Sequence, residues 1–69
     1  MDKEIIRAIE DNQPVYAAPV YVDELGYLHC SNAKLFTSFS SAERYTFYQL
    51  NLGMLDDAID YIVQVHTLC

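Results

Sequence analysis

Apolar residues in the first dozen positions recur at helical spacing. Ile5, Ile6 and Ile9 fall on one face of a helix that turns about 100° per residue. Asp2 precedes them and is a suitable N-cap, since its carboxylate can accept a hydrogen bond from a free amide of the first turn. The proline that follows the pattern disfavours helical backbone just before it. The pattern therefore predicts a short helix over residues 2–12.

Three segments further along the chain have β character, namely 15–22, 27–30 and 34–38. The first is almost continuously apolar, which is typical of a strand that is covered on both faces. Pro19 within it lacks an N–H group and indicates an edge strand or a bulge. Residues 23–26 end in a glycine and predict a tight turn between the first two segments. The expected arrangement is a three-stranded antiparallel meander.

The segment 40–51 predicts a second helix. Ser40 and Glu43 form a capping box, in which each side chain bonds a backbone amide at the start of the helix. Residues 44–50 are rich in β-prone side chains, so a strand is the alternative for this stretch. Gly53 suits the left-handed conformation that commonly follows a helix, and we expect the helix to stop just before it.

The segment 54–66 predicts a third helix that is unusually apolar. Asp56, Asp57 and Asp60 lie within a polar arc of about 100°, whereas apolar side chains fill an arc of about 200°. A surface helix needs only about half of that apolar width to pack on its own core. We therefore expect this helix to contact a second surface besides its own core. That surface belongs to another protein, which can be a second copy of this chain. The residues expected in self-association are Met54, Tyr61, Val65 and Tyr48.

Together these elements predict an α+β fold, with a short N-terminal helix, a three-stranded antiparallel meander and two C-terminal helices packed on one face. The 69 residues are expected to form one domain, 1–69, with a small core. The hydrophobic fraction of 52% slightly exceeds the ~45–50% of a typical soluble domain. Because small domains often depend on oligomerisation for stability, this excess favours a homodimer.

The charge balance is acidic and restricts the classes of partner. Ten acidic and four basic residues give a net charge of −6. Direct binding to nucleic acid or to an anionic membrane needs a basic surface, and the four lysines and arginines are scattered along the chain. A basic protein partner would complement this charge, while solubility alone is the alternative explanation. We therefore expect a protein partner, with no nucleic acid and no membrane bound directly.

The sequence predicts a cytoplasmic location. No run approaches the ~20 apolar residues of a membrane span, and the N-terminal pattern is not that of a signal peptide. Two cysteines, Cys30 and Cys69, are too few for a disulfide framework. Both thiols are therefore expected to be free, as in a reducing compartment.

Metal binding and catalysis have little support in the sequence. His29, Cys30, His66 and Cys69 carry ligand atoms for zinc, but adjacent strand residues point to opposite faces, so the first two would not reach one ion. The serines of 38–41 are better explained as a turn and helix cap than as nucleophiles, because no glycine-rich elbow surrounds them. We therefore expect no catalytic residue, no metal site, no cofactor and no enzymatic activity.

The clearest candidate binding surface combines tyrosine with acidic residues around the predicted turn. Tyrosine offers a large rigid contact area with a polar tip, and it is enriched at binding surfaces. The chain has six tyrosines and no tryptophan. The residues of this predicted acidic–aromatic surface are Tyr21, Asp23, Glu24 and Tyr27.

Asp56, Asp57 and Asp60, here named the acidic ridge, have two interpretations. They form either a solvated face or an imitation of the row of phosphates in nucleic acid, which a basic protein would bind through arginine and lysine. The second interpretation predicts an inhibitor or adaptor that occludes a basic, nucleic-acid-handling partner, as small phage- or mobile-element-encoded antagonists of host defence do. The alternative is a homodimeric structural or regulatory subunit that uses the last helix as its two-fold interface.

Overall fold

A computed structural model describes residues 2–31 and 33–65 of the chain. Their elements form an α+β fold, as the sequence predicts. The helices are α1 (Lys3–Glu10), α2 (Phe39–Gln49) and a 3₁₀ helix (Leu55–Tyr61). The strands are β1 (Val15–Ala18), β2 (Tyr21–Val22), β3 (Leu28–His29), β4 (Lys34–Phe36) and β5 (Val63–Val65).

The main sheet has three antiparallel strands in the order β4-β1-β5. The strand β1 lies in the centre, where Val15, Ala17 and Ala18 are fully buried. The predicted covered strand over 15–22 is therefore confirmed for residues 15–18 and wrong for Tyr21 and Val22, which are exposed. Strand β1 ends at Ala18, ahead of Pro19, which is therefore not in an edge strand or a bulge of β1. The sheet differs from the predicted meander because β2 and β3 form a separate two-stranded sheet.

The third strand of the main sheet comes from the segment predicted as the last helix. Residues 55–61 form a 3₁₀ helix instead of an α-helix, and Val63–Val65 form β5, which pairs with β1. The alternation of valine, glutamine and valine in β5 matches the period of a strand, with both valines half-buried and Gln64 exposed. Two of the apolar residues that fill the α-helical wheel, Val63 and Val65, are therefore placed in a sheet.

The start of α1 is as predicted. The backbone amide of Glu4 donates a hydrogen bond of 3.0 Å to Oδ1 of Asp2, which is the N-cap. At its other end the helix closes at Asn12, which takes a left-handed φ of 57°. Ile5 and Ala8 pack with Val15 into the core beneath the sheet.

The start of α2 is two residues earlier than predicted. Ser38, and not Ser40, is the N-cap, and its Oγ accepts a hydrogen bond of 3.4 Å from the amide of Ser41. The helix continues to Gln49, so the helical interpretation of this stretch is confirmed over the strand. Asn51, with φ of 52°, provides the left-handed residue that was predicted at Gly53.

The core between α2, β1 and the 3₁₀ helix is built from small side chains. Ala42 and Thr46 of α2 and Ala58 of the 3₁₀ helix are completely buried. Small residues let the two helices approach closely. Among the described elements, α2 and the 3₁₀ helix make the most extensive contact. Thr46 Oγ1 is buried without a hydrogen-bond partner among the described residues.

Candidate functional site: the β2–β3 hairpin

The hairpin of residues 21–29 exposes more large apolar surface than any comparable stretch of the described chain. The exposed fractions are 44% for Tyr21, 64% for Val22, 81% for Leu25, 66% for Tyr27 and 44% for Leu28. Single exposed apolar residues are ordinary on a protein surface, whereas several of them in one short hairpin favour an interaction site. The hairpin is therefore the first candidate for a binding surface.

Asp23 fixes the shape of the turn. Its Oδ1 accepts hydrogen bonds of 2.9 Å from the amides of both Leu25 and Tyr27. The amide of Gly26 donates to the carbonyl oxygen of Asp23 at 3.0 Å, and Gly26 has a φ of 86°, which favours glycine over other residues. The predicted tight turn ending in Gly26 is confirmed. An aspartate that accepts amide hydrogen bonds from the residues after it stabilises such a turn locally.

His29 also binds Asp23, across the hairpin. The distance from His29 Nε2 to Asp23 Oδ2 is 2.7 Å. This contact is the largest cause of a lowered pKa for the Asp23 carboxyl, followed by the hydrogen bond from the Tyr27 amide. Both contacts favour the charged carboxylate over its protonated form. The Asp23 carboxylate therefore makes its hydrogen bonds within the hairpin, to Leu25, Tyr27 and His29.

The hairpin is attached to the body of the protein through the end of the 3₁₀ helix. The amide of Val20 donates a hydrogen bond of 2.8 Å to the carbonyl oxygen of Tyr61. The rings of Tyr21 and Tyr61 pack edge to face with their centroids 5.8 Å apart. The acidic ridge ends at Asp60, immediately before this attachment point, so the ridge and the base of the hairpin adjoin one another.

The predicted partner-binding residues therefore lie on two neighbouring elements. Tyr21, Asp23, Glu24 and Tyr27 are together in the hairpin, while the acidic ridge is exposed on the 3₁₀ helix. A 3₁₀ helix has three residues per turn. Asp57 and Asp60 consequently share one row of side chains, and Asp56 shares the next row with Ile59. No lysine or arginine occurs between residues 8 and 33 or after residue 44, so the formal charges in these two stretches of the chain are acidic.

The residues predicted for self-association are divided by the structure. Tyr48 and Met54 are 77% and 63% exposed. Tyr61 is half-buried beneath the hairpin, and Val65 pairs with Val15 and packs against the core. Two of the four residues thus remain available to a partner, and the other two already have neighbours in the same chain.

Sequence reasoning missed some exposed apolar residues. Val22, Leu25 and Leu28 of the hairpin, and Leu55 and Ile59 of the 3₁₀ helix, are all more than 40% exposed. The exposure of Leu25 was predictable from the sequence. This leucine lies in a turn, between two acidic residues and a glycine, where its side chain does not reach the core. For Ile59 the helical wheel was misleading, since it assumed a period of 3.6 residues.

Cys30 is disulfide-bonded in the structure, so the prediction of a free thiol is wrong for this residue. Cys69 and His66, the other residues considered for zinc, lie outside the described residues. Within residues 2–31 and 33–65, no group of three or more histidine, cysteine, aspartate or glutamate side chains is arranged to hold a metal ion. In the same part of the chain, no helix has the length and apolar character needed to cross a membrane.

Comparisons with known proteins give no relative. No protein-family model matches the chain, no curated protein matches its sequence, and no solved structure matches its fold. The hairpin and the acidic ridge are therefore the features of this chain that bear on its function.

Proposed function

We propose that the protein is a non-catalytic binding module, an inhibitor or adaptor that occludes a basic protein partner. The observation that carries the proposal is the rigid, apolar hairpin beside an acidic ridge, in a part of the chain that has no lysine or arginine. Exposed apolar side chains provide the affinity of a protein interface, and complementary charge provides partner choice and fast association. The proposal includes no cofactor and no catalytic step.

In this mechanism the hairpin anchors the partner. Tyr27 and Tyr21 lose water in the centre of the interface, where aromatic residues contribute most of the binding energy. Asp56, Asp57 and Asp60 pair with arginine and lysine side chains that otherwise hold nucleic acid. When the acidic ridge pairs with those arginine and lysine side chains, nucleic acid can no longer bind them. This is the effect expected of a phage- or mobile-element-encoded antagonist of a host defence protein.

Affinity capture from the native host lysate tests the proposal with matched charge variants. The wild type, the double variant Asp56→Lys with Asp57→Lys, and the variant Tyr27→Ala are compared by quantitative mass spectrometry. We expect a basic protein to be retained by the wild type at 50 mM NaCl, lost at 500 mM, and lost with both variants.

The control is the double variant Glu10→Lys with Asp11→Lys, which makes the same change in net charge at the end of α1. It should retain the basic protein. Equal retention by the wild type and by all variants would contradict the proposal, and so would capture that is insensitive to salt.

A homodimeric structural or regulatory subunit is the second candidate. It is favoured by the exposure of Tyr48 and Met54, which are both large and lie at the junction of α2 with the 3₁₀ helix. Met54→Asp is the cleaner test of this candidate than Tyr61→Asp, because Tyr61 also supports the hairpin. Loss of dimer in sedimentation experiments with Met54→Asp would favour the two-fold interface described above.

The cytoplasmic location expected from free thiols is opposed by the disulfide bond of Cys30, which favours an oxidising compartment. Reducing compartments keep thiols free, whereas disulfides persist in oxidising ones. Alkylation of the native protein with iodoacetamide, followed by peptide mass spectrometry, checks the state of Cys30. We expect Cys30 to be unmodified until a reductant is added; modification without reductant would support the cytoplasm.

A further inference from the structure

A groove lies between the base of the hairpin and the C-terminal end of α2. It has a volume of about 390 Å³ and is lined by Pro19, Tyr21, Gln49 and Leu50. Pro19 is buried, Leu50 is half-buried, and Tyr21 and Gln49 are exposed. Sites for small ligands have volumes of roughly 300–1,000 Å³. The groove is near the lower limit of that range and has room for one long side chain rather than for a large cofactor.

The end of α2 gives the groove a partial negative charge. No basic residue occurs in the last turn of α2. In the described part of the chain, no backbone amide donates to the carbonyl oxygens of Gln49 and Leu50. Unpaired carbonyl groups and the helix dipole both favour a cation at the C-terminus of a helix. Two of the four lining residues therefore bring hydrogen-bond acceptors to the groove.

The side chains of the groove add an acceptor and an aromatic ring. Nε2 of Gln49 donates a hydrogen bond of 2.9 Å to the hydroxyl oxygen of Tyr45. That bond uses the donor end of the amide and leaves Oε1 as an acceptor. The ring of Tyr21 is held by its edge-to-face contact with Tyr61. An aromatic ring in a fixed position offers a surface on which a cation can pack.

We infer that this groove binds an arginine side chain, which the basic partner presents; the source of that side chain rests on the proposed function. The planar guanidinium of arginine donates up to five hydrogen bonds and packs on aromatic rings, whereas the lysine ammonium is a compact point charge. The groove offers acceptors at Gln49 and Leu50 and a ring at Tyr21. The aliphatic part of the arginine lies along Pro19, since long basic side chains cover apolar surface with their stems.

The charge of the lining residues distinguishes this groove from other cavities of the described chain. Two cavities beside α1 include Arg7, and a third, between the start of α1 and β4, includes Lys34. Each of the three mixes basic and acidic residues, so neither sign of charge is favoured by the lining. The groove at the end of α2 has no charged residue in its lining, and no lysine or arginine follows residue 44 in the chain.

The groove also adjoins the acidic ridge. Tyr21 contacts Tyr61, which directly follows Asp60 of the ridge. An arginine in the groove and basic side chains on the ridge can therefore belong to one basic surface of the partner. The groove contributes a preference for arginine over lysine, which the exposed carboxylates of the ridge do not provide by themselves.

NMR titration of the full chain with Nα-acetyl-arginine amide tests the inference. We expect the signals of the Gln49 side-chain amide and of the Leu50 backbone amide to shift to saturation, with a dissociation constant of roughly 1–10 mM. Nα-acetyl-citrulline amide has nearly the same shape but no charge. Its binding should be about tenfold weaker, because the charge-assisted hydrogen bonds are lost.

Matched glutamine variants locate the site. Gln49→Lys should weaken binding of the arginine probe by about tenfold, because the new ammonium repels the guanidinium and Oε1 is lost. The position is exposed and a lysine suits the last turn of a helix, so far-ultraviolet circular dichroism should be unchanged. The control Gln64→Lys makes the same change at an exposed position of β5 and should bind the probe like the wild type.

Three results would overturn the inference. These are the absence of shifts at about 50 mM probe, equal affinity for the citrulline probe, and equal losses in the two glutamine variants. Because the probe is a small molecule, the outcome does not depend on capture from a lysate. Capture of a basic protein without binding of the probe would overturn the groove and leave the proposed function standing. Binding of the probe without capture would support the groove as an arginine site and contradict the proposed function.

Discussion

The hairpin and the 3₁₀ helix both expose large apolar residues, but they distribute charge differently. In the hairpin, pleating separates the residues with a period of two, so Tyr21 and His29 share one face, where Asp23 binds His29, and Val22 and Leu28 share the other. In the 3₁₀ helix the period is three, and Ile59 lies in the same row as Asp56. The same composition therefore produces an aliphatic face in one element and a mixed acidic surface in the other.

The two regions also differ in how they are held. The turn of the hairpin is fixed by local hydrogen bonds to Asp23, whereas the 3₁₀ helix packs on α2 and buries its Ala58 side chain. Local bonds and long-range packing respond to different substitutions. The following predictions use this difference, beginning with the largest expected effect.

Ala58→Leu should break the packing of the 3₁₀ helix. Ala58 is completely buried, and extra methylene groups in a closely packed site force neighbouring side chains and backbone apart. We expect the free energy of unfolding to fall by about 2–3 kcal/mol in urea titrations. Ile59→Ala, at the next and half-exposed position, is the control and should change stability much less. Equal losses for both variants would mean that Ala58 does not anchor the helix.

Thr46→Val should stabilise the same contact. The Thr46 hydroxyl is buried without a hydrogen-bond partner among the described residues, and a valine of nearly the same shape removes that cost. The expected gain is about 1 kcal/mol in the free energy of unfolding, measured by thermal and urea denaturation. Thr37→Val on the exposed segment before α2 is the matched control and should have little effect. A loss of stability at Thr46 would show that its hydroxyl is satisfied in solution.

Asp23→Ala should loosen the hairpin and leave the main sheet intact. The variant loses the acceptor for the amides of Leu25 and Tyr27. Hydrogen exchange should become several-fold faster at these two amides, with the amides of β1 unchanged, because the turn opens locally. Glu24→Ala removes a neighbouring carboxylate from the same turn and should not alter the exchange rates. Faster exchange throughout the sheet would contradict the separation of the two regions.

The smallest effect expected is the pH dependence of the hairpin. The pKa of Asp23 is lowered from 3.8, mainly by His29. The unfolded state thus binds a proton more readily than the folded state, and the stabilisation from Asp23 is complete above pH 3.8 and lost as the pH falls through the lower folded pKa. An NMR titration of the Asp23 carboxyl should have its midpoint below 3.8, and His29→Ala should move it upward. A midpoint that His29→Ala leaves unchanged would remove His29 as the cause.

Several features were predictable because they depend on neighbours in sequence. The isoleucine spacing and the Asp2 cap determined α1, and the aspartate–glycine turn determined the hairpin that carries Tyr21 and Tyr27. The pairing of β5 with β1 was not predictable, because it joins segments about fifty residues apart and local patterns carry no information about such partners. For the same reason the sequence did not indicate whether Leu28 is exposed or buried.

The sequence by itself determined a small acidic α+β domain, its first helix and its tyrosine-bearing hairpin, since spacing, caps and turn chemistry act over a few residues. Only the tertiary structure decided that the C-terminal segment divides into a 3₁₀ helix and a strand. The vacant side of β1 provides hydrogen bonds and an apolar neighbour that no isolated helix offers, so residues 63–65 pair there. Tyr61, at the junction of these two elements, consequently packs its ring against Tyr21 at the base of the hairpin.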